Sequence, residues 1–198
     1  MSSDGIWRRG HVRLRRMRSQ TGEKEERVKL GNNGGRLAKK SRLENIVKAQ
    51  KLVLRLLDEA YKKKTWHGPN LRQAIRGVSA KQAAWRPGPG RHNIWEETLH
   101  AAYWKYTVRN RIEGGKKGSF ALPGSNFFPR PEKGKVSEAS WQADKELLER
   151  EHRALRSAVE RVLNTTRGVK FLNQIYGVAF HDVYHAGQIR LLRRLMDR

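Results

Sequence analysis

Apolar residues recur at spacings of three and four from residue 43 onward. Leu43, Ile46, Val47, Val53, Leu54, Leu57, Ala60 and Tyr61 form one stripe, the period of a helix that packs on one side. Ser41 stands ahead of the stripe with Glu44 three residues on, the spacing at which each side chain can bond the other's backbone N–H as a helix cap. The pattern then breaks in HGPNLRQAIRGVSAKQAAWRPGPG. Within that stretch Ser79 and Gln82 predict a cap over a short helix, which Pro87 and the adjacent glycines stop.

The helical period resumes at Asn93 and runs through IWEETLHAAYWKYTVRNRI to Gly114-Gly115. Asn93 and Glu96 have capping-box spacing, and the glycine pair is the expected termination. Leu99, Ala102, Tyr103 and Tyr106 lie on or beside the face that holds His100. A proline-rich connection, GSFALPGSNFFPRPEKG, follows. Its length and three aromatics predict that it folds over the helices instead of hanging free. A third long helix is expected from about Ser140 to Leu163, with Trp141, Leu147, Leu148, His152, Leu155, Val159 and Val162 at helical spacing, and a fourth from about Phe171 to the C-terminus. No strand pattern and no internal repeat is seen. The expectation is an all-α fold, a four-helix bundle with one long crossover loop.

Residues 1–40 lack a sustained apolar period and contain WRRGHVRLRRMR and the flexible cluster GNNGG. They read as a basic, disordered tail, which leaves residues 41–198 for the bundle. The chain carries a formal net charge of +24, with 12 Lys/Arg against 4 Asp/Glu in residues 1–40 and 31 against 15 in residues 41–198. Positive charge is therefore spread over the whole chain. Such a surface attracts nucleic acid non-specifically, by counterion release, without implying that nucleic acid is the purpose.

Cysteine is absent from the sequence. Disulfides, thiolate ligands and a cysteine nucleophile are excluded, leaving imidazole, carboxylate and water for any metal. No apolar run of about 18 residues suggests a membrane span, and no apolar core of an export signal is seen. These features together make a cytoplasmic location the expectation.

Histidine supplies the candidate chemistry. His181 and His185 are four apart in FHDVYHAGQIRLLRRL, which stacks them one turn apart on one helix face. Two imidazoles so placed can converge on one ion, and a third ligand must come from elsewhere. His100, centred on another apolar face, is one source; His152 on the third helix is the rival. Packed or surface histidines would explain the same pair. His92 is expected to make a structural hydrogen bond in the loop before its helix. Asp182 projects about 100° from His181 and is expected at the surface or in a cap-type interaction.

Two further patterns weigh less. HDVYH has aspartate where a zinc peptidase has glutamate, and no downstream ligand follows. Glu97 to His100 forms an ExxH, but the fourth helix offers no second ExxH for a di-iron site.

The stretches WRPGPGRHNIWEETLHAAYWKYTVRNRI and YGVAFHDVYHAGQIRLLRRL together resemble the DinB/YfiT-like superfamily of small bacterial four-helix bundles. The resemblance covers roughly residues 43–198. It implies a divalent metal on His100, His181 and His185, and activities that include transferases and isomerases dependent on low-molecular-weight thiols. Three neutral imidazoles would suit zinc, nickel, iron or manganese and leave open positions where a thiol or water could be activated. The substrate is then a small molecule, with the thiol borrowed from a cosubstrate. Glu96 or Glu97 could orient His100 or relay a proton, with capping as the competing role for Glu96. Gln188, Tyr184 and Trp104 are pocket candidates, with ordinary packing as the competing role. Apolar stripes on exposed helices would allow a homodimer. The alternative reading is a non-catalytic basic helical protein that contacts nucleic acid or an acidic partner.

Overall fold

The protein is seen in a computed structural model that describes residues 33–115 and 120–196; most of the expected basic tail, and the last two residues of the expected fourth helix, lie outside those residues. Among the described residues there are six α-helices and no strand. Four are long: α1 (Asn33–Tyr61), α4 (Ile94–Glu113), α5 (Glu138–Leu163) and α6 (Gly168–Met196). Two single-turn helices, α2 (Leu71–Ile75) and α3 (Ala80–Ala84), occupy the region between α1 and α4.

Capping chemistry sets most of the boundaries. Asn70, Ser79 and Asn93 each accept a bond from the backbone N–H three residues on, while Gln73, Gln82 and Glu96 return one to the cap, so two orphan donors are satisfied at each start. The α3 and α4 caps are the expected ones. The Asn70 box, and with it α2, was not anticipated, although its Asn-x-x-Gln spacing is the same signal. At the far end of α4, Gly114 adopts φ 70°, ψ 25°, a left-handed conformation that costs glycine little.

Helix α1 departs from expectation. It starts at Asn33, so Ser41 sits inside the helix and does not cap it. Ile46 and Val47, assigned to the apolar stripe, remain about half exposed, and burial becomes full only at Leu57, Ala60 and Tyr61. The first part of α1 thus extends past the bundle, and among the described residues the stripe has nothing to pack on there. Helix α6 begins at Gly168, three residues before the expected Phe171.

Helix α4 is central, lying against α5, α6 and α3. One core cluster gathers Leu99, Trp95, Trp141, Leu148 and Ile189; a second gathers Leu57, Leu155, Val159 and Ile175. The two indoles pack tilted at 5.3 Å between centroids. Each also spends its polar edge, Trp95 Nε1 donating to Asp144 (2.7 Å) and Trp141 Nε1 to the Val78 carbonyl (2.8 Å), as buried indoles must.

The crossover loop folds onto the bundle as expected. Phe128 enters the first core cluster, and the Phe127 ring stacks between His92 (3.7 Å) and His100 (4.0 Å). Asn93 Nδ2 donates to the Arg130 carbonyl at 2.7 Å, and Arg130 Nε donates to Asp144 at 2.8 Å. These contacts hold the loop over the first turns of α4, where His100 lies.

Candidate metal centre

Helices α4 and α6 run antiparallel at the point where their histidines meet. His100 Nε2 lies 3.0 Å from His181 Nε2, which lies 3.0 Å from His185 Nε2. All three ligand atoms fall within 4.8 Å of one another, and the group is largely buried. His152, the rival third ligand, is elsewhere: fully buried on α5, its ring stacks on Tyr61 at 3.8 Å. Its helix neighbours are charged, but its own face looks into the core.

The outer nitrogens fix the tautomers. His100 Nδ1 donates to the Asn126 carbonyl at 2.9 Å, and His185 Nδ1 donates to the Glu97 carboxylate. Both protons being spent there, the two Nε2 atoms present lone pairs inward. His181 Nε2 faces both of them and can carry one proton at most, so at least two lone pairs confront one another. The buried Nδ1 of His181 has no partner among the described residues. A divalent cation removes that conflict. Bonds of 2.0–2.1 Å put adjacent imidazole nitrogens about 2.9 Å apart at right angles and about 3.3 Å apart at the tetrahedral angle, and the two 3.0 Å separations made by His181 fall in that range. The residues fit a metal ion, and this group could hold one.

Burial also keeps His100 and His181 neutral, the form that ligates. It pushes His100 down to about 4, against a smaller opposing effect of the Asn126 hydrogen bond. His181 falls to about 3, chiefly through burial and then through the neighbouring His185 and His100.

Of the two candidate glutamates, Glu97 reaches the centre, where it orients His185 and not His100. The group that orients His100 is the Asn126 backbone, which sequence reasoning missed. Asn126 holds φ 67°, a left-handed conformation that asparagine tolerates better than most residues. Its side-chain oxygen accepts from Trp104 Nε1 at 3.2 Å. The Gly-Ser-Asn run signals a turn, but nothing in it names the imidazole that the carbonyl meets.

Glu96 faces away from the centre. Besides its capping role it accepts from Arg86 Nη1 (2.8 Å), the Arg130 backbone N–H (3.1 Å) and pairs with His92 Nδ1 (3.1 Å), so His92 makes the structural bond expected of it. Burial raises the Glu96 pKa, but Arg86, the Arg130 N–H and His92 outweigh it and hold the carboxyl below its usual range. The capping role is the one the structure supports. Gln188 is half-buried one turn beyond His185, and no hydrogen bond joins it to a described residue. The Tyr184 ring, largely exposed, meets His185 edge-on at 5.0 Å, and Trp104 lies 6.0 Å from His181.

Asp182 corrects the sequence expectation. It is buried and ion-paired to Lys105 of α4, itself fully buried. The 100° offset from His181 would point to solvent on an amphipathic helix. On α6 it points to α4, because the solvent side is occupied by Tyr176, Phe180 and Tyr184. A carboxylate committed to an ammonium in this way is no peptidase base, which removes the zincin pattern.

The body is all-helical among the described residues, and two of its helices share three largely buried imidazoles that could hold a metal ion. Comparison with protein families matches residues 63–189 to the DinB superfamily, and the chain belongs to that superfamily. Among curated proteins and among solved structures no significant match is found. Superfamily membership and the histidine cluster are compatible with a metal-dependent function.

Proposed function

We propose that the chain is a divalent-metal-dependent enzyme, a transferase or hydrolase acting on a small molecule, with His100, His181 and His185 as ligands. The observation that carries this reading is the convergence of three Nε2 atoms, with the outer nitrogens of His185 and His100 anchored by Glu97 and Asn126. A cation held there would supply Lewis acidity and lower the pKa of a thiol or water bound to it.

The chain's own groups do the rest. Glu97 keeps the His185 proton on Nδ1 and strengthens its Nε2 as a donor; Asn126 does the same for His100. Glu97, hydrogen-bonded to His185, is also the carboxylate placed to accept a proton released at the site. Gln188 is retained as a polar group for substrate. Since the chain has no cysteine, a thiol-dependent reaction takes its thiol from a low-molecular-weight cosubstrate. Zinc, nickel, iron and manganese all suit three imidazoles. A cytoplasmic setting fits this chemistry.

The test is elemental analysis of untagged protein beside His185→Ala. Roughly stoichiometric metal that is lost in the variant supports the proposal. Metal-free wild-type protein that binds nucleic acid of any sequence, with strong salt dependence, favours instead the basic binding protein that a net charge of +24 suggests.

A further inference from the structure

A narrow cavity of about 160 Å³ runs from the histidine group along the seam between α4 and α6. On α4 it is lined by Trp104, Val108 and Arg111, and on α6 by His181, Val178, Gly177 and Gln174. Because the helices are antiparallel, these residues pair in order: Trp104 with His181, Val108 with Val178 and Gly177, Arg111 with Gln174. The two ends are seven residues apart on each helix, about 10 Å.

The ends differ chemically. One is the imidazole group. At the other, the Arg111 guanidinium makes no ion pair or hydrogen bond with a described residue, and the buried Oε1 of Gln174 likewise has no partner. The middle is apolar. Gly177 lines it, and a Cβ built there meets no atom within 4 Å, so a larger side chain at this position has room to enter the gap.

We propose that this slot binds small amphipathic carboxylates. The carboxylate lies against Arg111, with the Gln174 amide turned to present its NH2, and the apolar chain runs between Val108 and Val178. The volume, roughly that of five liquid waters, suits a chain of a few carbons. That the far terminus reaches the histidine group rests on the metal-centre reading; the carboxylate and chain contacts do not.

The probe is hexanoate, titrated into the full chain while the Trp104 indole N–H is followed by NMR, its signal identified as the one missing in Trp104→Phe. Saturable movement of that signal is expected, with no matching movement for hexylammonium. Arg111→Gln should weaken hexanoate at least tenfold. Gly177→Val should abolish binding while the helix content and melting temperature are retained. An unmoved signal, equal binding of the ammonium, or unchanged affinity in Gly177→Val overturns the proposal. Metal content measured on the same wild-type sample separates the two readings. Metal without hexanoate binding sinks the slot alone, and Arg111-dependent binding by metal-free protein sinks the metal centre alone.

Discussion

Glu97 of α4 accepts a hydrogen bond from Nδ1 of His185 on α6, joining residues 88 positions apart. That bond sets the tautomer of one imidazole and ties the two helices that carry the histidine group. Glu97→Gln keeps the shape and removes the charge. The expected result is a 10–100-fold loss of metal affinity, the usual effect of removing such a partner, with little change in helix content. Competition with a chromogenic chelator measures it.

Asn126 contributes to the centre through its carbonyl, so the backbone conformation matters more than the side chain. Asn126→Gly allows the left-handed φ and should retain metal near the wild-type level. Asn126→Val strains that conformation, because a β-branched residue is a genuine outlier there, and should lower metal affinity by swinging the carbonyl away from His100. Chelator competition on the pair of variants tells backbone from side chain.

Lys105 and Asp182 are both buried and depend on each other. Burial lowers the Lys105 pKa and raises that of Asp182, the pairing opposing each shift. Lys105→Met leaves a buried carboxylate without a partner, and a loss of about 3–5 kcal/mol is expected. Lys105→Met with Asp182→Leu should recover most of that loss. Denaturant unfolding of both variants checks the coupling; additive losses would contradict it.

His152 is buried with neither ring nitrogen hydrogen-bonded among the described residues. Burial first, then Lys105 and other cations, push it down to about 2. The folded pKa lies below the unfolded value near 6.5, so this histidine's stabilising contribution is complete above about 6.5. It is lost as pH falls from there toward 2, because the unfolded chain takes up the proton first. The expected slope is about 1.4 kcal/mol per pH unit in that window. His152→Leu should flatten the dependence by about one proton, as read from urea unfolding at pH 7 and pH 5.

The sequence by itself determined the all-helical class, the caps of α3 and α4, the glycine end of α4 and the pairing of His181 with His185. These are local properties: a capping box, a glycine φ or an i, i+4 spacing is decided within a few residues of chain. It also singled out His100 as a partner by its place centred on an apolar face, with His152, set among charged neighbours in LEREHRALR, as the weaker rival. Only the packing of α4 on α6 chose between them, because which faces meet depends on the side chains of both helices at once. The same holds for Asp182, whose direction on its own helix was legible while the ammonium of Lys105 opposite it was not. The stripe through Ile46 and Val47 failed for the complementary reason: periodicity reports a face able to pack, and the bundle ends before it reaches them. Asn126 was the least legible, since its part is played by a carbonyl that every residue carries, and only the path of the crossover loop brings that carbonyl to His100.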